Sequence, residues 1–80
     1  MGKRVAFKDL RMEQFRSFSV CARTGNLVRA AEELELSRPA LWQQIKALER
    51  HFEADFFTPR RYGVELTEDG RLFLELADAL

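Results

Sequence analysis

The sequence predicts a mainly α fold: three helices, a two-stranded β-hairpin and a fourth helix. Three observations carry that expectation. Apolar residues recur at helical spacing in four separate stretches. Residues that stop or start helices, Gly25, Asn26, Ser37 and Thr67, stand at the breaks between them. The stretch from Phe56 to Leu66 loses the helical period and alternates around a basic turn.

Residues 1–9 are polar and basic and carry no period, so they read as an N-terminal arm. From Leu10 the pattern becomes helical. Met12, Phe15, Phe18 and Ala22 line one face, with Glu13, Gln14, Arg16 and Arg23 on the other. Cys21 lies beside the apolar stripe, as a small packing residue does. Gly25 ends the helix and Asn26 caps the next. In the second helix Leu27, Ala30, Ala31 and Leu34 face inward, and the two alanines let another helix approach closely. Arg29, Glu32, Glu33 and Glu35 lie outside, and Leu36 covers the core as the chain turns.

Ser37 caps a third helix, with Pro39 in its first turn, where a missing N–H costs nothing. Leu41, Ile45, Leu48 and Phe52 form its core face, and it runs to about residue 53. Only Glu35, Leu36 and Ser37 link the second and third helices, which is a helix-turn-helix arrangement. Phe56-Phe57, a long basic tip from Thr58 to Gly63, and Val64-Glu65-Leu66 then read as a hairpin. Pro59 belongs at its edge or in its loop, not in mid-strand. Thr67 caps the fourth helix, with Glu68 and Asp69 at its positive dipole end. Leu72, Phe73, Leu76, Ala77 and Leu80 form one apolar stripe that is still running where the chain stops. The layout is a winged helix-turn-helix.

Composition excludes several classes. Eighty residues allow one small domain that buries roughly 60–65% of its unfolded surface. The hydrophobic content of 46%, with nine aromatics, suffices for a core. No run approaches the ~18 apolar residues that span a bilayer, and no apolar segment follows the basic N-terminus as in a signal peptide. A single cysteine rules out an internal disulfide framework and fits the cytoplasm. One His and one Cys cannot make a Cys/His zinc site, and no glycine-rich phosphate loop is present, so no metal or cofactor is expected. Enzymatic readings lack parts. His51 has no adjacent nucleophile, and the pairs Glu32/Glu33 and Glu68/Asp69 read as helix surface.

The third helix is the informative element. Its outer face carries Arg38, Pro39, Trp42, Gln43, Lys46 and Arg50, and positions 38, 42 and 46 stack at i, i+4 spacing. A helix N-terminus offers N–H groups and a positive dipole end to phosphate, and Ser37 can donate there too. Arg38 can pair with guanine and Gln43 with adenine in the major groove. Lys46, further along, suits a backbone phosphate. Arg60 and Arg61 on the hairpin tip would reach flanking backbone or the minor groove. Two other readings of Trp42 stay open. It packs against Arg38 or Lys46 as a cation–π pair, or it makes this face a protein-interaction surface.

These stretches resemble the N-terminal DNA-binding domain of LysR-type transcriptional regulators, over roughly residues 9 to 80. The resemblance rests on Leu10 to Phe18, on Gly25 to Ala31, on Leu36 to Glu49, and on Phe56-Phe57 with Gly63 to Gly70, without gaps. It implies a bacterial transcription factor that binds double-stranded DNA as a homodimer. The implied divisions are an arm at 1–9, a winged helix-turn-helix at 10–66 and a linker or dimerisation helix at 67–80. The implied recognition contacts are Ser37, Arg38, Pro39, Trp42 and Gln43, and the implied wing contacts are Arg60, Arg61 and Tyr62. Lys46, from the reading of the helix face, and Arg29 on the second helix complete the candidate DNA contacts. The implied dimer contacts are Leu72, Phe73, Leu76 and Leu80. The sequence departs from the family pattern in Arg38, where Gln is usual, in Trp42, where a small hydroxyl residue is usual, and in Val28 and Pro59. The family's effector-binding domain has no counterpart in these 80 residues, as in an excised domain or a short natural protein.

The formal charge is zero, with 13 basic and 13 acidic side chains. It is not evenly spread. Residues 1–64 carry a net +4 and residues 65–80 a net −4. A basic body and an acidic final helix cancel, which leaves the reading surface attractive to phosphate.

Overall fold

Helix α1 (Met12–Thr24) is the first element of a computed structural model that describes residues 11–79. The basic arm at 1–9 lies outside the described residues. Helices α2 (Leu27–Leu34) and α3 (Arg38–Phe52), strands β1 (Phe57–Arg60) and β2 (Gly63–Leu66), and helix α4 (Glu68–Asp78) follow. The architecture is a winged helix-turn-helix.

The caps explain the boundaries. Gln14 reaches back and accepts a bond from the Arg11 N–H at 3.2 Å, at the start of α1. Gly25 closes that helix in the left-handed conformation, at φ 65°. Asn26 accepts from the Arg29 N–H at 3.1 Å and Ser37 from the Ala40 N–H at 3.2 Å. Thr67 accepts from the Gly70 N–H at 2.9 Å and donates to the Asp55 carbonyl. Each such cap satisfies a donor that the helix itself leaves open. Glu35 ends α2 with φ 58°, so a three-residue turn forms without glycine.

Phe18, Cys21, Ala30, Leu41, Ile45 and Leu48 are fully buried at the centre. Aromatic rings extend this core toward α4. Phe73 stacks on Phe56 at 4.5 Å and meets Phe18 edge-on at 4.9 Å. Ser17 is buried as well, its hydroxyl donating to Gln44 Oε1, which pins α1 to α3. Met12, placed by its spacing on the inner face of α1, is 73% exposed. It occupies the first turn, where α1 has run past the core.

Three expectations need correction. Phe73 is 6% exposed and belongs to the intramolecular core, so it is not available to a second subunit. The apolar stripe of α4 therefore splits. Phe73, with Leu74 and Ala77, turns inward, while Leu72 and Leu76 stay exposed. Leu80 lies outside the described residues. Pro59 sits inside β1, paired with Val64, and the long tip shrinks to Arg61 and Tyr62. A two-stranded sheet has only edge strands, so the missing proline N–H can face outward without breaking the ladder. Trp42 is half-buried against the core, not displayed on an exposed face.

Candidate nucleic-acid interface

The wing is fastened to the helical body at two places. On the β2 side, the Val64 N–H donates to the Gly25 carbonyl at 3.1 Å. On the β1 side, the carboxylate of Glu49 is buried, and its Oε2 accepts the N–H groups of Phe56 and Phe57 at 2.7 and 3.2 Å. A buried carboxylate needs such donors and a counter-charge to offset its lost hydration. The Lys46 ammonium lies 3.1 Å from the other oxygen, Oε1.

These attachments hold the wing beside the N-terminal half of α3, and a groove of about 570 Å³ opens between them. Arg38 and Trp42 of α3 line one wall. Pro59, Arg60, Arg61 and Tyr62 of the wing line the other, with the cap residue Asn26 and Val28 of α2 also in the lining. The lining is mixed, with apolar side chains from Leu27, Val28, Trp42 and Val64 beside the guanidinium groups of Arg38, Arg60 and Arg61. The Arg61 guanidinium lies over the Tyr62 ring at 5.5 Å, a cation–π arrangement. Arg60 is engaged differently. Its Nε and Nη2 donate to Glu65 Oε1 at 3.0 and 2.6 Å, across the strand pair.

The family model described as "Bacterial regulatory helix-turn-helix protein, lysR family" matches residues 12–71. The chain belongs to the LysR family.

Among curated relatives, it is 38% identical over 71 residues to the HTH-type transcriptional regulator TfdT of Cupriavidus pinatubonensis, spanning 89% of this chain and 31% of that one. It is 42% identical over 69 residues to the probable cat1 operon transcriptional activator of Acinetobacter lwoffii, covering 86% and 22%. The chain thus spans between a fifth and a third of those relatives. Among solved structures, the CbnR_DBD–DNA complex superposes with a TM-score of 0.84 at 33% identity, covering 88% of this chain and 80% of that one. The BenM_DBD/benA site 1 DNA complex shares the fold, with a TM-score of 0.82 at 23% identity over 88% and 81% of the two chains.

Within this LysR-family domain the candidate contact residues fall into five places. Arg38, Trp42, Arg60, Arg61 and Tyr62 meet at the groove. Gln43 is exposed on another side of α3, in a depression shared with Arg11, Ala40 and Ala47. Lys46 faces a third depression with Glu49, Arg50 and Asp55. Arg29 is set apart on α2, near the Arg23–Glu33 ion pair. Ser37 and Pro39 are exposed at the start of α3. The Ser37 oxygen is used by the Ala40 N–H, and its own proton remains to donate outward.

Trp42 takes the cation–π reading, with the Lys46 ammonium 4.9 Å from its ring centroid. The protein-interaction reading needed an exposed indole, and the half-buried ring removes that basis. Two contributors escaped the sequence reading. Glu49 anchors β1 through residues seven and eight positions away, which no helical period announces. Asn26, legible only as a cap, also lines the groove. No described helix is long and apolar enough to cross a membrane.

Proposed function

We propose that this LysR-family domain binds double-stranded DNA in a sequence-specific way, as the DNA-binding part of a dimeric bacterial transcriptional regulator. The observation that carries the reading is the exposed first half of α3, with Ser37, Arg38, Pro39 and Gln43 accessible, set beside a wing whose Arg61 and Tyr62 are also exposed. In this reading α3 enters the major groove with its N-terminus leading. Arg38 and Gln43 read base edges, and Ser37 and the helix N–H groups meet phosphate. Arg61 and Tyr62 lie along the flanking backbone or the minor groove. Arg29 reaches backbone from α2. The DNA complexes of CbnR_DBD and BenM_DBD support this use of the fold.

The second subunit is proposed to pack on α4. Leu72 and Leu76 stand one helical turn apart, 57% and 65% exposed, with no core to cover them. Pairing two copies there would bury them and set two recognition helices for a site with dyad symmetry. A regulator of chromosomal DNA works in the cytoplasm.

The test is a gel shift at low salt with mixed-sequence duplex DNA, repeated as salt is raised. The proposal expects a shift near micromolar protein that weakens steeply with salt as condensed counterions are displaced. Absence of any shift at that concentration would overturn it.

A further inference from the structure

We infer that Lys46 acts on the wing from behind as a positioning residue, holding it in place for DNA, and is not itself a phosphate contact. The inference rests on the DNA-binding reading above. It reverses the role that the sequence alone gives this lysine.

Lys46 sits on α3 between Trp42, four residues before it, and Glu49, three residues after it. Its ammonium reaches both, at 4.9 Å from the Trp42 ring centroid and 3.1 Å from Glu49 Oε1. Each of those partners bears on the wing. Glu49 holds the N–H groups of Phe56 and Phe57, and Phe57 opens β1, which leads directly to Arg61 at the tip. Trp42 lines the groove whose far wall includes Pro59 from β1 and Val64 from β2. One cation therefore bears on both the root of the wing and the ring that faces the wing across the groove.

The charge balance says why Lys46 stays there. Glu49 is 4% exposed, and its Oε1 has no hydrogen bond of good geometry. The ammonium is what offsets that oxygen's charge. Drawing Lys46 away to a phosphate would leave a buried carboxylate uncompensated, and such a group costs far more than an exposed ion pair returns. Arg61 has no carboxylate within ion-pairing distance among the described residues, so it reaches phosphate without that loss.

Two measurements test this. The first uses the free protein and needs no DNA. Lys46→Met keeps an apolar stem and removes the charge. Amide exchange at Phe56 and Phe57 should then accelerate by about 5-fold or more relative to amides in the middle of α1, which report on global unfolding. An unchanged ratio would overturn the inference. Glu49→Gln guards against a variant that fails to fold, because it keeps an oxygen for both N–H groups and no longer needs the cation. In that background Lys46→Met should leave the ratio within about 2-fold, and an undiminished effect there would also count against the buttress.

The second measurement is a binding cycle on one duplex. Lys46→Met should weaken binding about 5-fold in the parent and less than about 2-fold once Arg61→Ala has removed the wing contact. Equal losses in both backgrounds would make Lys46 a direct phosphate contact and sink the proposal. A parent that binds no duplex at all would remove the DNA-binding reading instead, and the exchange ratio would still decide whether Lys46 holds the wing.

Discussion

A Cβ placed on Gly63 would lie 2.3 Å from the carbonyl oxygen of Gly25. The first residue of β2 thus crosses the end of α1 at a distance only glycine permits, and the same carbonyl accepts the Val64 N–H at 3.1 Å. Gly63 also has φ 137°, outside the range that other residues favour. The seat of the wing depends on this crossing.

Gly63→Ala should therefore destabilise the domain by about 2 kcal/mol or more, because the neighbour it meets is backbone and cannot step aside. Urea titration followed by circular dichroism reads this directly. A midpoint equal to that of the parent would show that the wing can shift without loss.

The two sides of α4 should respond oppositely to substitution. Phe73→Ala removes a ring packed among Phe15, Phe18, Phe52 and Phe56 and should cost about 3–5 kcal/mol, a large part of the stability of a small domain. Leu76→Lys changes a position that the single chain leaves exposed and should move the stability of the monomeric fold by less than about 0.5 kcal/mol. Its effect belongs in sedimentation, where the parent should run as a dimer and the variant as a monomer. An unchanged sedimentation coefficient would rule out the α4 pairing.

The wing and the recognition helix should leave different signatures in binding. Arg38→Ala should cost about 1–3 kcal/mol on a preferred site and relax the preference there. Arg61→Ala should weaken all sequences alike and lower the salt slope by about 1. Arg60→Ala should do less than either, because Glu65 already holds that guanidinium. Fluorescence anisotropy across several salt concentrations separates the three. Loss of sequence preference in Arg61→Ala with none in Arg38→Ala would invert the assignment.

Cys21 carries a pH prediction. It is buried, and desolvation pushes its thiol from 9.0 up to about 11. The folded state holds its proton more tightly than the unfolded chain, so the stability this gives is full below about pH 9 and is lost as pH rises toward 11. Melts of the parent should fall across that window more steeply than those of Cys21→Ala. Parallel curves would mean that the thiol does not contribute. The native thiol should also resist alkylation at neutral pH.

The helices and their caps were legible because those signals are local. Asn26, Ser37 and Thr67 act on N–H groups three residues on, and Leu41, Ile45 and Leu48 repeat with the helical turn. What the chain concealed depends on packing direction. Leu72, Phe73 and Leu76 look like one stripe in sequence, yet residues 72 and 73 point about 100° apart, and only the aromatic core could decide which turned in. Trp42 lies at the border between the core and the polar face of α3, so spacing alone could not seat it. Glu49 was hidden for a different reason. An acidic residue near a helix end reads as surface, and its partners are backbone groups of the next element.

The central claim is sequence-specific recognition by α3 and the wing, and selection of bound duplexes from a random DNA pool tests it most directly. Selection should enrich a dyad-symmetric sequence, with half-sites facing a pair of recognition helices and a preference that Arg38→Ala loosens. A selected pool indistinguishable from the starting pool would contradict it.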